Sequence, residues 1–211
     1  MKKNKLVYGV GINDADYVVK VTQVIGYDGA KRKQKTTWVC PYWRKWSNML
    51  MRCYSIKQQE RQPTYRGCTV CEEWLIFSNF KRWMEKQNWE GKQLDKDILQ
   101  RGNKIYCPEL CVLVDVKINN FLLDRAKSRG LYPIGCSWSP DHKKFRASCQ
   151  DARGRHMVLG LFDTELEAHK AWLAFKLEQA KILAAEQTDP RVAKALIERY
   201  KNYVIEENSL V

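Results

Sequence analysis

The chain has 211 residues, with 37 Lys and Arg against 24 Asp and Glu and a formal net charge of +13. Hydrophobic residues make up 45% and aromatics 11%, which excludes a disordered polyelectrolyte and argues for folded cores. No apolar run approaches the roughly 18 residues of a membrane-spanning helix, so no membrane association is expected.

The length fits one or two domains. The basic start, Met1-Lys2-Lys3-Asn4-Lys5, leads to Asp14 and Asp16 rather than to an apolar block. A secretory signal is therefore not expected, and a reducing cytoplasm is. The charge is unevenly placed. Residues 1–60 carry 12 basic and 4 acidic residues, and 61–129 carry 13 and 9. Residues 130–180 carry 7 and 6, and 181–211 carry 5 and 5. Such an excess points to a polyanion, with nucleic acid the leading case. A basic surface kept for solubility is the other reading.

In chain order, Leu6–Val10 and Tyr17–Val21 read as strands, rich in β-branched and aromatic residues. Residues 28–36 form a basic connection that holds Lys31, Arg32, Lys33 and Lys35, which with Arg44 and Lys45 are candidate DNA contacts. Residues 41–55 read as a helix, with Trp43, Trp46, Met49, Leu50 and Cys53 at helical spacing and Arg44 and Lys45 elsewhere. A second helix is expected over 72–87, a strand over 110–114 and a helix over 116–128. Gly130 and Pro133 then punctuate the chain. Three strands follow, Ile134–Trp138, Phe145–Gln150 and His156–Phe162. Thr164 and Glu167 fit a capping box that opens a helix running to about Ala185. Asp189 and Pro190 open a last helix. The Trp-rich stretch, at helical spacing, reads as core more than as a base-stacking platform.

Two resemblances rest on particular residues. The first is carried by Ile134-Gly135-Cys136-Ser137-Trp138, Lys144-Phe145-Arg146-Ala147, Val158-Leu159-Gly160-Leu161-Phe162-Asp163-Thr164 and Glu167-Ala168-His169-Lys170-Ala171-Trp172. This segment of about 45 residues resembles the ethylene-response-factor (APETALA-type) DNA-binding domain, which also occurs attached to phage and homing nucleases. The resemblance implies a three-stranded sheet packed on one helix, with the sheet lying in the major groove. It puts Trp138, Lys144, Arg146, Arg153 and Arg155 on the DNA side. Alternation along β-structure sends Arg146 and Ser148 to one face and Phe145, Ala147 and Cys149 to the other. A merely solvated polar face is the competing reading.

The second covers residues 46–120. It is carried by Trp46-x-x-Met49-x-x-Arg52-Cys53-Tyr54, then by Tyr65-x-Gly67-Cys68-x-Val70-Cys71-x-x-Trp74-x-x-Phe77-x-x-Phe80. Leu94-Asp95-Lys96-Asp97, Gly102-Asn103 and Tyr106-x-Pro108-Glu109-x-Cys111-x-x-Val114 complete it. This pattern resembles phage and bacterial HNH-type homing-endonuclease relatives. The resemblance implies a ββα-type centre that hydrolyses phosphodiesters with a divalent ion, and a host-cell cytoplasm for a phage-encoded chain. HNH chemistry uses a His as general base. Here His142, His156 and His169 all lie in the C-terminal module, and residues 1–141 hold none. Lys96 stands where the His is expected, a poor base and a better phosphate contact. Asp95, Asp97 and Asn103 remain as candidate catalytic groups for Mg²⁺ or another divalent ion. Capped turns in a loop are the alternative for the two aspartates.

Eight cysteines in a reducing compartment invite a metal reading more than disulfides. Cys53, Cys68, Cys71, Cys107 and Cys111 are the candidate zinc ligands, and small core residues are the alternative. The expected architecture is α+β. It has a basic β-rich segment (1–40), an HNH-like domain (41–128), an APETALA-type domain (129–186) and a C-terminal helix (187–211). The expected function is binding of double-stranded DNA, with metal-dependent endonuclease activity as one outcome. A catalytically degenerate regulator or inhibitor, meeting DNA or a host protein, is the other.

Overall fold

The computed structural model describes residues 6–123 and 132–203. The architecture is mixed α+β, built from small sheets and helices. Two compact units divide the chain, Met1–Leu113 and Val114–Val211.

The first unit opens with a tight turn. Val7 bridges Gly11, with Tyr8 and Gly9 at positive φ, where an extended strand is expected from the residue types. The sharp reversal lets Gly11 sit against Trp46 and Leu50, too close for any side chain. Two long strands follow, β1 (Lys20–Asp28) and β2 (Lys31–Val39), paired antiparallel as a two-stranded ribbon. Gly29, at φ +57°, starts the two-residue loop between them, as hairpins of this kind require. The stretch expected to be a basic connection is thus the tip and second strand of a hairpin. Its Lys-rich composition has low strand propensity, and ladder pairing overrides it.

The helix α1 (Pro41–Tyr54) starts with Pro at a position where a missing N–H costs nothing. It buries Trp46, Met49, Leu50 and Cys53, the face expected from its periodicity. A short helix, α2 (Ile56–Arg61), is capped by the Ser55 side chain. Residues 72–87 divide into a single 3-10 turn (Glu72–Leu75) and α3 (Phe77–Glu85). Trp46 donates through Nε1 to the Trp74 carbonyl at 2.7 Å, and Phe77, Phe80 and Met84 close the core around them. Trp43, Trp83 and Trp89 pack against that core. Two short pairs complete the unit: β3 (Thr69–Val70) with β5 (Ile105–Tyr106), and β4 (Gln93–Asp95) with β6 (Val112–Val114).

In the second unit, α4 (Val116–Leu122) joins the C-terminal helices. Lys176 Nζ and the Tyr200 hydroxyl both donate to the Phe121 carbonyl, at 3.0 and 3.2 Å. The division therefore falls before α4, whereas the punctuation at Gly130 and Pro133 suggested one near 127–133. The helix expected over 116–128 ends at Leu122, where Leu123 turns extended; residues 124–128 lie outside the described residues. The meander β7 (Cys136–Ser139), β8 (Lys144–Gln150) and β9 (His156–Phe162) forms one sheet. Helix α5 (Glu165–Ala185) packs on it through Ala168, against Ala147 and Cys136. Its capping box is complete: Glu167 N–H donates to Thr164 Oγ1 at 3.2 Å, and Thr164 N–H to Glu167 Oε2 at 3.1 Å. Helix α6 (Pro190–Lys201) starts at Asp189, whose carboxylate accepts from Arg191 N–H. No helix among the described residues is long and apolar enough to cross a membrane.

Candidate nucleic-acid interface

Directly paired residues in a sheet share a face, so the register of the meander sorts its side chains. Cys136 pairs with Ala147, and both are buried towards α5. Trp138 pairs with Phe145, which pairs with Phe162, so all three lie on that same side. Trp138 packs on the Phe145 ring with centroids 5.0 Å apart and stays 42% exposed. It therefore belongs to the helix-side face, not to the side expected for a DNA contact.

The opposite face carries Ser137, Arg146 and Leu161 in one row across the three strands. Lys144 and Ser148 flank that row on β8. Arg146 donates from Nη2 to Ser139 Oγ at 3.1 Å, and the same hydroxyl meets His142 Nδ1 at 3.1 Å. These bonds hold the guanidinium in place above the sheet. Lys144 pairs with Asp163 at 3.0 Å, both groups being exposed, so the pair is weak and exchangeable.

The turn from β8 to β9 is stapled by Asp151. Its carboxylate accepts from the N–H groups of Arg153 and Arg155 and from Arg155 Nε at 2.7 Å. Desolvation alone would raise the Asp151 pKa; the Arg155 and Arg153 bonds outweigh it and hold it below the usual value. Arg155 thus serves the turn, with its side chain still mostly exposed. His169 is buried in α5, stacked on Trp172, with Nδ1 2.8 Å from the Ile134 carbonyl.

In the first unit, Lys31, Arg32, Lys33 and Lys35 all project from the exposed strand β2. Arg44 is exposed on α1. Lys45, expected as a DNA contact, instead donates to the Lys92 carbonyl. Burial, then the nearby Arg52, lowers its pKa.

The residues of the HNH-like motif come together, but their polar atoms are taken by one another. Asp95 Oδ1 accepts from the N–H groups of Asp97 and Ile98, at 2.7 and 2.8 Å. This closes an Asx-type turn. Burial pushes the Asp95 carboxyl up, against the pull of those two N–H groups. Lys96 is 5% exposed. Its ammonium donates to Asp97 and to the Asn103 carbonyl. As a phosphate contact Lys96 is corrected: it faces inward. Asn103 spends its side chain on the backbone of Lys96 and Ile105. Arg52, the motif's arginine, hydrogen-bonds Tyr106 and lies over the Tyr65 ring.

All eight cysteines are free thiols. Cys53, Cys68 and Cys111 are buried, and Cys71 and Cys107 are half-buried. Burial pushes Cys53 up to about 12 and raises Cys71, Cys107 and Cys111 as well. Among the described residues no group of three His, Cys, Asp or Glu side chains is placed to hold a metal.

Sequence reasoning missed the ribbon geometry of residues 20–39. The available signal was Gly29, which suits the first loop position of a two-residue hairpin turn. No family model, curated protein or solved structure matches this chain.

Proposed function

We propose that this protein binds duplex DNA and does not cut it through the Asp95 loop. The observation that carries this reading is the open face of the β7–β9 sheet. Arg146 stands at its centre, braced by Ser139, between Ser137 and Leu161 across the strands. A three-stranded sheet can lay such a face in a major groove, with phosphate contacts setting its position and base-edge contacts its register. The resemblance of residues 134–172 to APETALA-type domains implies the same use. The net charge of +13 supports a polyanionic partner.

The resemblance to HNH-type nucleases supports common descent of the central scaffold in this reading. It does not support hydrolysis, because the general base is replaced by Lys96, Asp95 closes a turn and Asp97 binds the Lys96 ammonium.

Fluorescence anisotropy on a short labelled duplex tests the binding reading. Affinity should fall by about 10³ or more between about 50 and 200 mM salt for a protein with six or more phosphate contacts. Arg146→Ala should weaken binding by about 1–3 kcal/mol, or roughly 5- to 150-fold. An Arg146→Ala variant that binds like the wild type would overturn the sheet-face assignment.

A further inference from the structure

We infer that the β1–β2 ribbon is a DNA-binding arm that enters the major groove with Lys31, Lys33 and Lys35 on one face. This rests on the duplex-binding reading above and assigns a second, separate contact to it.

The ribbon is unusual in what it leaves uncovered. Among its residues only Gly26 and Val39 are less than exposed. A lone two-stranded ribbon is marginal in water, and both of its long edges offer unpaired backbone groups. Here Val24, Ile25 and Tyr27 are exposed as well, at 47%, 63% and 66%. A surface of this kind gains from a partner.

Register decides the chemistry of that partner. Lys31 pairs with Asp28, Lys33 with Gly26 and Lys35 with Gln23. The irregularities leave Thr37 and Ile25 unpaired, so neither interrupts the β2 run from Lys31 to Lys35. The three lysines therefore share one face, about 6.8 Å apart along the strand. Arg32 points to the other side, with Tyr27. The single acid, Asp28, lies 3.7 Å from Lys33 with both groups exposed, and such a pair adds little. Lysines on an open strand also discourage edge-to-edge aggregation. That role does not call for aligning three of them on one face of an otherwise uncovered ribbon.

Dimensions then favour one groove. Nine residues of strand span about 30 Å, close to one turn of B-DNA at roughly 34 Å. The major groove, about 12 Å wide, admits a two-stranded ribbon, and the minor groove, about 6 Å wide, does not. In A-form RNA the major groove is deep and narrow, so an RNA duplex would not take the arm. The arm is fixed at its base: Cys40 N–H donates to the Val19 carbonyl at 2.9 Å, and α1 follows at once into the core.

The test compares the full chain with a triple variant, Lys31→Gln, Lys33→Gln and Lys35→Gln, on DNA and RNA duplexes of one sequence. A second variant with all three changed to Arg controls for the fold of the ribbon. The glutamine variant should bind the DNA duplex at least about tenfold more weakly, with a salt slope lower by about one per lysine replaced. The arginine variant should keep both. On the RNA duplex the glutamine and wild-type proteins should bind alike. Wild-type affinity and slope in the glutamine variant, with Arg146→Ala still weakened, would overturn the arm and leave the sheet-face reading standing. An equal loss on RNA would overturn groove entry. No binding of any duplex by the wild type would overturn both readings.

Discussion

Lys96 donates through Nζ to both carboxylate oxygens of Asp97, at 2.7 and 2.8 Å, and to the Asn103 carbonyl at 2.5 Å. An ammonium has three protons to give, and two partners take them all. A buried charge is tolerated only with such partners. The loop from Asp95 to Asn103 is thus tied around an internal cation.

Lys96→Met should therefore destabilise the first unit by about 2 kcal/mol, since it leaves a carbonyl and a carboxylate without their donor. Asp95→Ala should cost about 1–2 kcal/mol, because two N–H groups lose their acceptor, and Asp95→Asn less, since Oδ1 survives. Urea unfolding measures all three. The raised Asp95 pKa has a sign as well. The folded state holds that proton to higher pH than the unfolded chain, so its contribution fades as pH rises through the folded value. Asp95→Asn should gain on the wild type across that window. Equal losses for Asn and Ala would contradict the turn-closing role.

Lys176 in α5 lies over the Phe121 ring at 3.4 Å and lines a cavity of about 630 Å³ with Cys149 and Asp151. Burial lowers its pKa to about 8, with Arg199 adding to the effect and Cys149 opposing it. Between about 8 and the ordinary lysine value near 10.4, the unfolded chain binds more protons than the folded one. Stability from this group therefore rises with pH in that window, by up to about 1.4 kcal/mol per unit. Thermal unfolding of the wild type against Lys176→Met should show this slope in the wild type alone. Parallel pH profiles would contradict it.

Gly135 adopts φ +83°, and a Cβ there would lie 2.0 Å from Trp172 Cγ. The ring it would meet belongs to the buried Trp172, so accommodating it requires the backbone or the core to shift. Gly135→Ala should cost the second unit about 3 kcal/mol or more. A loss under about 1 kcal/mol in calorimetry would show that the strand can shift away from α5.

Of the five candidate zinc ligands, burial raises the thiol pKa of Cys53, Cys71, Cys107 and Cys111, which disfavours the thiolate that zinc needs. Purified protein should carry well under one zinc per chain by elemental analysis, and chelator should leave its unfolding midpoint unchanged. Stoichiometric zinc with a chelator-sensitive midpoint would contradict this.

Much of the second unit was legible in sequence because its signals are local. The Thr164–Glu167 capping box, the Asp189-Pro190 start and the alternation along Phe145–Cys149 each need only neighbouring residues. The side on which Trp138 lies was not legible. It depends on pairing with Phe145 across the turn, whereas the resemblance implied the DNA side. Lys96 shows the same limit. A lysine between two aspartates reads as surface charge until Asn103, seven residues on, supplies the carbonyl that draws it inward. The ribbon was hidden because Lys31–Lys35 is poor strand sequence by composition, and the partner strand that rescues it is a tertiary fact.

The central claim is duplex binding without hydrolysis. Its most direct test is incubation with supercoiled plasmid in Mg²⁺, in Mn²⁺ and in chelator, followed by native and denaturing gels. The account predicts a salt-sensitive mobility shift in all three and plasmid that stays supercoiled once protein is removed. Metal-dependent nicking that Asp95→Ala abolishes, or no shift at low salt, would contradict it.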